Sequence, residues 1–226
     1  METTERSLTI QPDFWATLCG RALVQVARDG DVVKADGTLA SASADQQGQI
    51  RFVRYKVAMW SHDFAKAVGI LEGAPEWSLI NPQHTPVATA VLRGVALEAG
   101  GQSEAARREF EAAIPLLEGR TNSGTADPSI HLSLARAYAG LNRKDDAVRE
   151  GRKAIELVPI AKDAFYGPIY VGEFAAIQAR VGNVDDAVAL LRQLLDISAG
   201  LVVSPALLRI DPAWDTLRAE PRFKKL

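Results

Sequence analysis

A single cysteine, Cys19, stands among 226 residues, so no disulfide can form within the chain. Histidine is nearly as scarce. His62, His84 and His131 share no close spacing with one another or with Cys19, which leaves no ligand pattern for a metal centre. No apolar run nears the roughly 18 residues that a membrane-spanning helix needs. The opening stretch METTERSLTI has no basic segment followed by an apolar core, so no secretory signal is legible. Positive charge is not in excess: 26 Lys and Arg stand against 28 Asp and Glu, a balance of −2. Nucleic-acid binding needs a basic footprint that this balance does not supply. Catalytic signatures are missing too. There is no P-loop, no glycine-rich kinase loop, no His-Arg-Asp run and no serine in a nucleophile elbow. The expectation is a chain that is not an enzyme and takes no cofactor, metal, nucleic acid or membrane. Its expected setting is cytoplasmic, or extracytoplasmic where a longer parent supplies a membrane anchor.

What is present is helical periodicity. Hydrophobic residues make up 47% and charged residues 24%, a balance that favours a folded chain over a disordered one. Phe14, Leu18, Ala22 and Val26 recur every four residues, and Ile50, Val53, Val57 and Trp60 every three or four. Such spacing puts apolar side chains on one helix face. Strand signals are few. DVVKADGTLA has room for a short extended piece, but Asp29-Gly30 and Asp36-Gly37 read better as turns.

The second half repeats itself. LARAYAGLNRKDDAVREGRKAIELVP and FAAIQARVGNVDDAVALLRQLLDISA each hold a helical segment, a turn, DDAV and a second helical segment. Ala147 and Ala187 lie 40 residues apart, and Ala106, in RGVALEAGGQSEAARREFEAAIPLLE, lies 41 before Ala147. Gly94, Ala135 and Ala175 each precede these alanines by 12, where two antiparallel helices need little side-chain bulk to approach. Gly101, Asn142 and Gly182 suit a left-handed turn. The aspartates of DDAV sit at a helix start, where negative charge is favoured by roughly 0.3–1 kcal/mol each. That position accounts for them without catalysis. His62-Asp63 likewise falls at a turn, and Cys19, beside Trp15 and Ala22, reads as a small packing residue.

This pattern resembles the tetratricopeptide repeat (TPR). The matching residues are Leu134-Ala135, Tyr138, Ala147, Ala154 and Pro159 in one copy; Phe174-Ala175, Gly182, Ala187, Leu191 and Leu194 in another; and Gly94, Leu97, Gly101, Ala106, Phe110 and Ala113 in a third. A degenerate copy carries Phe64, Ala67 and Leu71 in register. The tail words Ser204 to Arg209, Asp211 to Arg218 and Pro221 to Phe223 narrow the likeness. They resemble the C-terminal end of TPR regions in bacterial multidomain signalling proteins, which pair such repeats with a serine/threonine kinase, a winged-helix or a cyclase domain. The resemblance implies an all-α, right-handed α-α superhelix, a TPR solenoid, with a short C-terminal helical cap. Its expected layout is an N-terminal helical segment (1–47), repeats over 48–201 (about 48–81, 87–120, 128–161 and 168–201) and a cap (202–226). The cap is expected to bury Trp214, Leu217 and Phe223 against the last repeat, with Asp211 capping a helix that starts at Pro212.

The resemblance also implies the function: a non-catalytic protein-interaction or regulatory module of a bacterial signalling protein. A protein or peptide would lie in the concave groove formed by the first helix of each pair. Lys56, Glu98, Leu132, Arg136, Glu173 and Arg180 are the candidate groove residues, with Val95 between them. The first-helix positions that clamp a C-terminal carboxylate in some TPR proteins hold Phe52, Val91, Leu132 and Gly172, which departs from that clamp. One alternative is a regulator that senses a peptide or small ligand in a deep closed pocket rather than an open groove. Another is an enzyme with a site between repeats. Self-association through Phe14, Trp15 and Leu18 is a further expectation, since these residues need cover. Trp77, between repeats, is read as a packed or a binding loop.

Overall fold

The computed structural model describes residues 14–43, 47–79, 86–121, 126–197 and 201–226. The first 13 residues of the expected N-terminal segment, His84, most of the linker NSGTADP and the end of the last expected repeat lie outside them. The described residues form an all-α chain in which helices pack on their neighbours in sequence order. Helices α1 (Trp15–Asp29) and α2 (Val32–Ala40) open it. Four pairs follow: α3 (Gln47–Trp60) with α4 (Phe64–Ile70), α5 (Thr89–Ala99) with α6 (Ser103–Thr121), α7 (Pro128–Gly140) with α8 (Lys144–Leu157), and α9 (Gly167–Val181) with α10 (Val184–Asp196). The chain ends in α11 (Pro205–Ile210) and two 3-10 turns, Pro212–Leu217 and Phe223–Lys225.

The four pairs turn in one way. His62, Gly101, Asn142 and Gly182 all have positive φ, between 56° and 89°. In each turn the next amide reaches back five residues: Asp63 to the carbonyl of Ala58, Gln102 to Leu97, Arg143 to Tyr138 and Asn183 to Gln178. This is the Schellman closure, which satisfies carbonyls that a helix end leaves open. Each second helix then begins with the amide of Ala67, Ala106, Ala147 or Ala187, all buried to 2% exposure or less. The degenerate first copy shares the turn even though histidine stands where glycine or asparagine is easier.

First and second helices differ in burial. α8 buries one stripe (Ala147, Glu150, Gly151, Ala154), and so does α10 (Ala187, Val188, Leu191, Leu194). α7 and α9 are buried almost all round. That is the pattern of an inner row covered by an outer one. The inner helices touch each other as well: α7 lies against both α5 and α9.

Three local expectations change. DVVKADGTLA is the helix α2, started by the Asp31 carboxylate, which accepts from the Lys34 amide at 2.9 Å. Asp36-Gly37 lies inside that helix, because Ala35 and Leu39 bury against α1 and override the turn preference. Trp77 sits in a two-stranded antiparallel ribbon, β1 (Trp77–Leu79) and β2 (Pro86–Ala88), with the Arg120 guanidinium 4.4 Å from its ring centre. Gly94 has a neighbour that the repeat spacing did not name. It makes room for the ring of Phe110, as does Gly140.

The tail does more than cover the last pair. Trp214, Leu217 and Phe223 are buried against α9 and α10, with the rings of Trp214 and Phe223 at 6.5 Å. The 3-10 spacing stacks Trp214 directly over Leu217. Before that, the chain has already returned to the opposite end. Leu207 enters the core of α1–α3, and the Ser204 hydroxyl donates to the Ala27 carbonyl at 2.6 Å. Nε2–H of His62 donates to the Ile210 carbonyl at 3.0 Å. Arg218 closes the joint, its guanidinium donating to the carbonyls of Leu208, Arg209 and Asp211.

Candidate functional site

The inner helices and the tail line a chamber of about 380 Å³. Its walls come from α3 (Phe52, Tyr55, Lys56, Met59), α5 (Leu92, Val95, Glu98, Ala99), α7 (Arg136, Ala139, Gly140) and α9 (Glu173, Ala176, Ile177, Arg180). Phe110 reaches in from α6, and residues 211–213, 215 and 216 form the remaining side. The tail thus forms one wall of the groove expected from the sequence.

Five of the six candidate groove residues meet here: Lys56, Glu98, Arg136, Glu173 and Arg180. Leu132 does not. It lies one turn before Arg136 on the same side of α7, and there it is buried in the main core rather than beside the cavity. Three ion pairs cross the chamber, each joining two elements. Arg180 forks onto Glu98, with Nε to Oε2 at 3.1 Å, and so ties α9 to α5. Arg136 donates from Nη2 to Glu173, tying α7 to α9. Lys56 pairs with Asp211 at 3.4 Å, tying α3 to the tail. Around these charges the surface is apolar and aromatic. The Tyr55 hydroxyl donates to the Leu92 carbonyl at 3.0 Å, and burial raises its pKa further, so it stays a protonated donor. The Glu98 ion pair raises the Arg180 pKa against the opposing effect of burial.

Asp211 was not among the residues singled out for the groove, although its place as a cap was legible. Oδ1 accepts from the Ala213 amide at 3.0 Å, and Oδ2 accepts from the Trp60 indole at 2.8 Å and from Lys56. The Lys56 ammonium also lies 5.0 Å from the Trp60 ring centre. Burial works against the charge on Asp211. The Lys56 ammonium and the three hydrogen bonds outweigh it, so the carboxyl titrates below its ordinary range. A lowered native pKa contributes stability that is complete above the unfolded value, about 4, and is lost as pH falls through the native one. The urea midpoint of Asp211→Asn is therefore expected to lie below wild type at pH 7 and to converge on it as pH drops below that range. A gap that does not narrow as the pH is lowered would assign the loss to packing instead.

Outside the chamber, His131 Nδ1 lies 2.8 Å from the carboxylate of Glu150, which Lys153 also holds at 2.9 Å. Burial raises the pKa of Glu150, but Lys153 and His131 bring it below its usual value. This network joins α7 to α8. Cys19 is buried in the α1–α3 core, where burial pushes its thiol up to about 12. The thiol is thus held in its unreactive form. Ser133 is sealed in the core, and its hydroxyl has no partner among the described residues. No group of three potential metal ligands occurs among the described residues, and no described helix is long and apolar enough to cross a membrane. The chain matches no protein-family model and no curated protein.

Proposed function

We propose that this chain is a non-catalytic helical-repeat binding module that holds a small ligand or the end of a short peptide in the chamber. One observation carries the reading: the inner helices of all four pairs, with the tail, converge on a single cavity. Its volume lies in the range of small-molecule sites, roughly 300–1,000 Å³. A partner helix, about 10–12 Å across with its side chains, needs a longer groove than a cavity of about 380 Å³ offers. The sensing alternative therefore fits better than a partner helix laid along a concave face.

Further support comes from chemistry. The carboxylates of Glu98, Glu173 and Asp211 each face a cation of the chain itself. Asp211 is pushed toward permanent ionisation, the reverse of what a general acid or base near neutral pH requires. The matched turns and the repeat spacing favour a TPR-type right-handed superhelix closed by its cap. On the resemblance alone rests the wider role, a regulatory module of a bacterial signalling protein.

The test uses Nile red, a neutral apolar dye, with the intact chain. Its fluorescence is expected to rise and saturate at one dye per chain. Ala176 is half-buried on the chamber wall, so Ala176→Trp fills the space and is expected to abolish the rise while circular dichroism is retained. An unchanged rise in a folded A176W would place the dye, and the site, elsewhere.

A further inference from the structure

The three chamber ion pairs are not equally satisfied. Glu98 uses both oxygens on the Arg180 fork. Asp211 uses both of its own on Ala213, Trp60 and Lys56. Arg136 and Glu173 share one hydrogen bond, from Nη2 to Oε2. Among the described residues, Nε and Nη1 of Arg136 and Oε1 of Glu173 take no other. Both side chains are largely buried, at 18% and 28% exposure. A guanidinium of five donors and a carboxylate of about four acceptor sites thus stand side by side with most of their valence open, above an apolar floor.

Charge balance narrows what fits. Lys56, Arg136 and Arg180 offset Glu98, Glu173 and Asp211 one for one, and Asp215, the remaining carboxylate of the lining, is offset by Arg218 at 2.7 Å. A ligand carrying one charge would leave a net charge against this largely apolar lining, which is costly. A neutral apolar ligand would leave the open donors and acceptor unanswered. A group bearing a carboxylate and an ammonium a few ångströms apart meets both demands. Its carboxylate takes the free edge of Arg136 and its ammonium donates to Glu173 Oε1. An apolar side chain on the same carbon then lies against Phe52, Met59 and Ile177.

We propose that the chamber takes an α-amino-acid zwitterion with a large apolar side chain. This rests on the chamber being the binding site. The probes are L-phenylalanine, 3-phenylpropanoate, which lacks the ammonium, and 2-phenylethylamine, which lacks the carboxylate. Each is titrated calorimetrically into the intact chain. L-Phenylalanine is expected to bind one per chain, with both analogues weaker by about tenfold or more. Arg136→Gln should erase its advantage over 2-phenylethylamine, and Glu173→Gln its advantage over 3-phenylpropanoate. Should either variant fail to fold, the three-ligand comparison in the wild type decides alone. Equal binding of 3-phenylpropanoate would overturn the proposal in favour of a simple anion site. So would no heat from L-phenylalanine up to about 10 mM, a free energy too weak for a specific site. If Nile red binding stays sensitive to A176W while L-phenylalanine fails, the ligand class is wrong and the chamber stands. If both fail, both fall.

Discussion

Phe110→Ala is expected to lower the unfolding free energy by about 3–5 kcal/mol, the usual cost of emptying a buried aromatic site. Phe110 is 1% exposed on α6, and its ring is held between two other helices. A Cβ placed on Gly94 of α5 would come within 2.5 Å of one ring edge, and a Cβ on Gly140 of α7 within 2.2 Å of the other. The ring thus fills the gap that lets three helices meet. Removing it leaves two bare backbone faces that cannot close on each other without moving whole helices. The glycines carry the reciprocal prediction. Alanine is the better helix former by about 0.8–1.0 kcal/mol, so Gly140→Ala would stabilise an unconstrained helix. Here the added methyl meets a ring hemmed in on its far side by Gly94, and overpacking of about 1–3 kcal/mol wins. In the Phe110→Ala background the clash is gone, so Gly140→Ala should turn from destabilising to stabilising. Urea denaturation of the four proteins reads this directly. A Gly140→Ala penalty of equal size in both backgrounds would show that the ring is not its cause.

That sandwich also marks how far the sequence could be read. Repeat spacing located the turns, because a left-handed residue and a following buried alanine are set locally by backbone sterics and helix capping. Gly101, Asn142 and Gly182 were legible on that ground, and His62 as a turn. The partners of the small residues were not. Gly94 was matched to Ala106 by counting along the chain; that it also leaves room for an aromatic ring about one helical turn further into α6 was not legible. Gly140 and Gly151, which make room for Phe110 and Phe174, gave no periodic signal. For the chamber, face counting brought together Lys56, Glu98, Arg136, Glu173 and Arg180. It failed for Leu132, which shares a side of α7 with Arg136 but sits one turn nearer the helix start, where the main core covers it. It also gave no hint that these charges pair with one another, since Arg180 meets Glu98 only after the stack has formed. In the tail, every matched word acts on its own neighbourhood. Ser204 and Asp211 cap, Trp214, Leu217 and Phe223 bury, and Arg218 takes the last carbonyls of α11. That the same segment reaches back to Ala27, Trp60 and His62 is a non-local fact that no capping rule contains.

Deleting residues 211–226 is expected to lower the melting temperature more than any single substitution away from Phe110, and to broaden the transition. Two losses combine. Trp214 and Leu217, 5% and 0% exposed, leave α9 and α10 with an uncovered apolar face; Trp214→Ala alone should cost about 3–5 kcal/mol. In a domain of this size that is a drop on the order of 10 °C, at roughly 2–4 °C per kcal/mol. The second loss is the joint between the ends. Without Asp211, the Trp60 indole N–H and the Lys56 ammonium lose their carboxylate. With Arg218 gone, the last carbonyls of α11 lose their donor, so α11 holds α1 less firmly. Helix pairs packed in sequence order tend to unfold from whichever end is weakest, and the tail couples the first pair to the last. Trp214→Ala tests the first effect and Asp211→Ala the second. The former should expose α10 amides to hydrogen exchange while α1–α3 stay protected. The latter should loosen α1, α3 and α11 as well. A truncated chain that melts within about 2 °C of the intact one, under one kcal/mol on that scale, with exchange unchanged at both ends, would mean that the tail neither covers the last pair nor joins it to the first.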